Sequence, residues 1–299
     1  MTTSDLITPA AITPTITQFC HQTWQLEAKV LYVESDESKT YLITDVTPFH
    51  PVSHIWPDHP ADKGIVNLGG VQYTVDDCLV GAIEQSTGKL YVAADIPVKR
   101  DTEGWVFVVV HQLPVSASTI SINEQVSLSV DKDYQASLSR GHSAGHVAFL
   151  ALNKVLADNY WRKDADRKDP LGSYDFNSYA QVTSFVTPEL CKDTYRLGKT
   201  LKKRGLNVAD MLANLEVIEA DVNELVSVWL AQPTAVTMRL EGEALTDSRY
   251  WEWQLDADTQ VTIPCGGTHI GNTSELGALS VKLTQLDDQN IEMLTHVIR

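Results

Sequence analysis

Two short stretches hold residues able to bind a metal ion. In His142-Ser-Ala-Gly-His146, two imidazoles stand at i and i+4. On a helix that spacing puts both rings on one face about one turn apart, so two nitrogens can reach a single ion. The pair alone is a weak signal, because two core or capping histidines would look the same, and His50 and His54 repeat the spacing around Pro51, where a helix is disfavoured. The second stretch is "IPCGGTHIGNTSELG", residues 263–277, in which Cys265 and His269 flank Gly266 and Gly267. The glycines are expected to fold the chain back through φ values that a side chain forbids, aiming thiol and imidazole at one point. A hairpin turn beside a buried cysteine is the plainer alternative. Taken together, three imidazoles and a thiolate suit zinc, provided the fold joins segments far apart in sequence. No Glu follows His142, so the general base of the HExxH metalloproteases is missing.

A third feature is "CKDTYRLGKTLKKRG", residues 191–205, with Lys192, Arg196, Lys199, Lys202, Lys203 and Arg204 against one acid, Asp193. As a helix it would gather Arg196, Lys199, Lys203 and, less fully, Lys202 on one face. It reads either as a solvated face or as a strip for phosphates. The formal net charge of −16 opposes non-specific nucleic-acid binding, so an RNA partner would need such a local basic patch.

A chain of 299 residues is long enough for two cores. Residues 1–20, rich in Thr and Pro, read as a loose leader without the basic and apolar regions of a signal peptide. Residues 21–130 carry short β-type runs, among them "TWQLEAKVLYVES", "KTYLITDVT", "GWVFVVVHQL" and "QVSLSVD", which suggest a small barrel or sandwich. Between them "TPFHPVSHIWPDHPADKG" has too many prolines for a helix or central strand and is expected to be an ordered loop. From residue 131 to 299 the texture is α+β. "SRGHSAGHVAFLALNKVL" reads as a buried helix with Ser139 as N-cap, "NVADMLANLEVIEADVNELVSVWLAQ" as a second helix capped by Asn207, and "TAVTMRL", "YWEWQL", "QVTIP" and "GALSVKL" as strands. No run is apolar enough for a membrane span, and the expected location is the cytoplasm. The widely spaced Cys20, Cys78, Cys191 and Cys265 form no disulfide framework.

"HSAGH" and "CGGTH", in that order, resemble the editing domain of alanyl-tRNA synthetase and its free-standing relatives, the alanyl-tRNA editing hydrolases of the AlaX type. "PCGGTHIGNTSELG" is similar to that family's cysteine block, and "DVTPFHPVSHIWPDHPADKG" sits where its longer forms have a glycine-rich segment. The resemblance implies a small N-terminal β-barrel followed by an α+β editing domain holding Zn2+ between helix and cysteine loop. It implies a cytoplasmic deacylase acting in trans on alanine tRNA mischarged with serine or glycine. Carried over by position, His142, His146, Cys265 and His269 are the metal residues. Thr268 and Thr273 are catalytic or pocket-lining candidates in the matching loop, beside Asn272 and Glu275. The basic run, by its charge, supplies Arg196, Lys199, Lys202, Lys203 and Arg204 as the tRNA-binding candidates. Two departures stand out: "HPVSHIWPDHP" replaces the glycine-rich loop, making His50, His54, Trp56 and His59 pocket candidates, and Gly145 stands where relatives often have a larger residue, Leu or Thr. An RNA-binding module with a structural zinc, and a zinc hydrolase of a small ester, are the alternatives.

Overall fold

The computed structural model describes residues 12–299. They fall into two units. One holds residues 12–57, Ala61–Lys132 and Glu241–Asp247; the other holds Asp58–Pro60, Asp133–Leu240 and Ser248–Arg299.

The first unit is built from β1 (Ile16–Thr17), β2 (Gln25–Ser35), β3 (Lys39–Thr44), β4 (Val46–Thr47), β5 (Gly64–Leu68), β6 (Val71–Val75), β7 (Asp77–Glu84), β8 (Lys89–Val92), β9 (Trp105–Pro114) and β10 (Gln125–Val130). β1 pairs with β4, and the others form one eight-stranded sheet in the order β6-β5-β10-β2-β3-β9-β7-β8. The apolar run in β9 is explained by burial on both faces. Val106, Val108 and Val110 pack with Ile43 and Ile83. The alternate residues Val109 and Leu113 pack with Leu42 and Leu128. A bulge in β2 between Val30 and Tyr32 bends the sheet, and β6 packs on β9 without pairing to it, so the sheet curls. It does not close. The small barrel expected from sequence is corrected to an open, curled sheet ending at β6 and β8, with no pairing between those two among the described residues. β8 has four residues, paired to β7, before the chain turns away at Ala93, whose φ is 52°, and β6 packs against β9 instead of pairing with β8, so the two edges stay unjoined. The β5–β6 hairpin turns on Gly69 and Gly70, both at positive φ.

Of the leader expected over 1–20, residues 1–11 lie outside the described residues. The remainder is ordered: Thr17 Oγ1 donates to the Glu243 carbonyl at 2.9 Å, and Phe19 is buried.

The second unit contains α1 (Lys132–Asn159), α2 (Phe176–Ala180), β11 (Gln181–Thr187), β12 (Leu190–Arg196), α3 (Lys199–Arg204), α4 (Val208–Ala213), α5 (Leu215–Trp229), β13 (Val236–Leu240), β14 (Arg249–Gln254), β15 (Gln260–Pro264), β16 (Ala278–Gln285) and β17 (Asn290–Ile298). The strands form sheets in the orders β11-β12-β17-β16 and β13-β14-β15. Ala144, Val147, Ala148 and Ala151 of α1 share a core with Trp251 and Trp253 of β14 and with Ile218, Val222 and Val226 of α5. Ser139 is not the N-cap: α1 begins at Lys132, and the Ser139 hydroxyl donates back to the Gln135 carbonyl at 2.8 Å. Asn207 does precede α4, but the long helix expected there breaks at Asn214, where α5 starts. Among the described residues no helix is long and apolar enough to cross a membrane.

What lets α1 meet the β11–β12 hairpin is the absence of side chains at Gly141 and Gly145. A Cβ on Gly145 would lie 2.6 Å from Cys191 Sγ. A Cβ on Gly141 would lie 2.7 Å from the Thr187 carbonyl oxygen and 2.8 Å from that of Leu190, backbone atoms that cannot rotate aside. Alanine exceeds glycine as a helix former by about 1 kcal/mol. Gly141→Ala is nevertheless expected to destabilise the protein, by about 1–3 kcal/mol from overpacking. The urea midpoint measures this, and a midpoint above the wild-type value would contradict the packing account.

Candidate metal centre

α1 carries His142 and His146 one turn apart, their ring centroids separated by 4.9 Å. The loop after β15 supplies the rest, its start pinned by a hydrogen bond from Cys265 N to the Arg249 carbonyl at 3.0 Å. Cys265 Sγ then lies 3.4 Å from His142 Nε2, 3.4 Å from His146 Nε2 and 3.3 Å from His269 Nε2. All four donor atoms fall within 4.8 Å of one another. A thiol donates one hydrogen and accepts only weakly, so hydrogen bonding is a poor account of three nitrogens converging on one sulfur. A cation between them can. Thiolate and imidazole ligands of a tetrahedral transition-metal ion stand about 3.5 Å apart, close to the spacing here.

The surroundings hold the rings in place. If His269 Nε2 faces the cluster, its Nδ1–H is the donor to Ser143 Oγ at 3.0 Å, and Ser143 also accepts from Ile270 N at 3.3 Å. Ser143, adjacent to His142, is a supporting residue that the sequence reading missed; its signal was a small polar side chain on the same turn as a ligand. Trp251 and Phe149 pack on the His146 ring, with centroids at 5.0 and 5.5 Å. Burial lowers the His146 pKa to about 4, so it is neutral at physiological pH, as a metal ligand must be.

The glycine pair works differently from expectation. Neither Gly266 nor Gly267 takes a positive φ. Gly267 is required instead for close approach, since a Cβ there would lie 2.5 Å from His142 Cε1, whereas one on Gly266 would meet nothing.

The other candidates separate. Thr268 is buried next to the cluster, its Oγ1 2.9 Å from Ser139 Oγ and 3.3 Å from His59 Nε2. The His59 ring in turn lies 5.1 Å from that of His142. His59 donates from Nδ1 to the Pro60 carbonyl at 2.8 Å, and burial lowers its pKa to about 4. Thr273 is held elsewhere: its Oγ1 accepts from Thr234 N at 2.8 Å. Asn272 and Glu275 form a capping box around the short turn Thr273–Leu276. His50, His54 and Trp56 belong to the first unit, where His50 is buried edge-on to Phe19, His54 tilts onto Phe107 and Trp56 is exposed. The basic run is not one helix. Arg196 ends β12 and only Lys199–Arg204 are helical, while Asp193 points inward, where burial raises its pKa to about 6.

No protein-family model matches the chain. Among curated proteins it is similar to an alanine-tRNA ligase of Saccharolobus islandicus (strain L.S.2.15 / Lassen #1), with 26% identity over 85% of this chain and 23% of the ligase. The alanine-tRNA ligase of Caldivirga maquilingensis is 23% identical over 90% of this chain and 25% of the ligase. That of Thermotoga petrophila is 27% identical over 67% of this chain and 20% of the ligase. The chain thus spans about a quarter of the length of the relatives it matches.

The two glycines give opposite predictions. Gly267→Ala is expected to displace His142 and lose bound metal on dialysis against a chelator, while Gly266→Ala keeps it. Elemental analysis of the dialysed proteins decides, and equal metal content in both variants would refute the close-approach role.

Proposed function

We propose that this chain is a zinc-dependent deacylase that removes serine, or glycine, from wrongly charged alanine tRNA. The observation that carries the reading is the convergence of His142, His146 and His269 on Cys265, in a chain whose similarity to alanine-tRNA ligases covers only about a quarter of their length. The resemblance of "HSAGH" and "CGGTH" to the editing domain names which part of those enzymes that quarter is. A thiolate with three imidazoles is a zinc donor set. Zinc held there would supply Lewis acidity to an ester carbonyl, an amine or a water.

The chain's own side chains give the rest. Ser143 fixes the His269 ring and so keeps Nε2 directed at the cluster. Because His59 Nδ1 donates to Pro60, Nε2 offers its lone pair to the Thr268 hydroxyl. When the Ser139 hydroxyl donates to Thr268 Oγ1 rather than to the Gln135 carbonyl, Thr268 can give its own proton to that nitrogen and keep one lone pair for a hydroxyl brought by a substrate. That is the discrimination an editor needs. An apolar pocket rejects an added hydroxyl only weakly. A buried polar group that serine satisfies and alanine leaves unpaired is worth about 1–3 kcal/mol. Arg196, Lys199, Lys202 and Lys203, all exposed, would contact tRNA phosphates.

One observation favours a second reading. Four protein donors is the number of a closed, structural zinc site, which would leave an RNA-binding module without turnover. A deacylation time course on one alanine tRNA charged with serine or with alanine separates the two. Rapid loss of serine with alanine retained, abolished by Cys265→Ala, is the expected outcome. Persistence of both esters would reject the deacylase in favour of the closed site.

A further inference from the structure

Beyond the end of α1 the chain runs back along the turn that follows α3. Asn207 N donates to the Tyr160 carbonyl at 2.8 Å, Arg162 N donates to the Gly205 carbonyl at 2.8 Å, and Trp161 bridges Leu206. Two basic pairs far apart in sequence, Arg162-Lys163 and Lys202-Lys203, are thereby brought together. Arg162, Lys163 and Lys202 line a cleft of about 420 Å³ together with Gly205 and Asn207. Gly205 permits this contact, since at φ 114° a Cβ would lie 2.6 Å from Lys163 Cγ.

The cations divide into those already engaged and those available. Arg204 is engaged: Nη1 donates to Asp166 at 2.9 Å, and its guanidinium lies 4.4 Å from the Tyr179 ring centroid. Lys192 pairs with Glu292 at 3.4 Å. Arg162, Lys163, Lys199, Lys202 and Lys203 are exposed and make no ion pair among the described residues. No acidic side chain lines the cleft. In a protein of net charge −16, unpaired like charges crowded around one depression repel each other until a polyanion neutralises them.

We propose that this cleft, with Arg162 and Lys163 on one wall and Lys202 on the other, is a binding site for the phosphodiester backbone of RNA. Resting on the deacylase reading, this is the tRNA itself, and Arg162 and Lys163 take the place that Arg204 was given from sequence. Arg204 instead ties the loop to α3.

The test compares wild type, an Arg162→Gln/Lys163→Gln double variant and a Lys99→Gln/Arg100→Gln control with the same charge change on exposed residues of the first unit. Binding of an uncharged alanine tRNA transcript is followed by fluorescence anisotropy across a salt series. The cleft variant is expected to bind at least tenfold more weakly, with the slope of log K against log salt reduced by about 1 to 2, while the control matches wild type. An unchanged Kd and slope in the cleft variant, or an equal loss in the control, would overturn the proposal. Single-turnover deacylation of seryl-tRNA in parallel keeps the two readings apart. Deacylation with normal tRNA binding by the cleft variant sinks only the cleft, and salt-sensitive binding through the cleft without deacylation sinks only the enzyme.

Discussion

Three imidazole nitrogens meeting at one sulfur atom is the constraint on which the second unit depends. His142 and His146 come from α1, Cys265 and His269 from the loop after β15. For them to meet, the loop backbone must lie almost against the His142 ring, so residue 267 can have no side chain. It also requires α1 to be seated without play. Arg140 grips Glu189 with two nitrogens at the tip of the β11–β12 hairpin, and Gly141 and Gly145 let that hairpin approach. Ser139 and Ser143, on the face of α1 toward the loop, bond to Thr268 and His269. The small residues in "SRGHSAGH" are thus accounted for by contacts on two sides of one helix.

How much of this the sequence disclosed follows from the range of each interaction. Helical spacing is local, so His142 and His146 were legible as a pair, and so were Cys265 and His269 within one turn. Their union across more than a hundred residues was not local, and the motif resemblance rather than periodicity brought it into view. The glycine pair was read through backbone freedom because φ is a property of one residue, whereas the close approach of Gly267 to a histidine on another element is invisible without the fold. The basic run misled for a similar reason. Charge density says nothing of where a strand ends, and β12 takes Arg196 out of the helix, with Leu197 buried as the chain turns. Strand content in the first unit was legible from alternation, but closure of a barrel depends on whether two edge strands come side by side to pair, which no local pattern encodes.

In the proposed deacylase, affinity and discrimination would rest on different residues. Contacts to phosphates place a nucleic acid but carry no information about the amino acid esterified to it. Lysines and arginines along the proposed binding cleft and α3 would therefore raise affinity for every charged form equally. In the proposed deacylase only groups beside the cluster would tell serine from alanine, and the polar atoms there include Thr268 Oγ1, His59 Nε2 and Ser139 Oγ. Burial keeps His59 and His146 uncharged, so they act as lone-pair donors rather than as cations. Thr268, His59 and Ser139 are themselves buried, so an unmatched hydroxyl among them would cost more than it does in water. The proposed selectivity would thus rest on a few buried polar atoms, whose hydroxyls are held by hydrogen bonds to neighbouring elements rather than left to rotate.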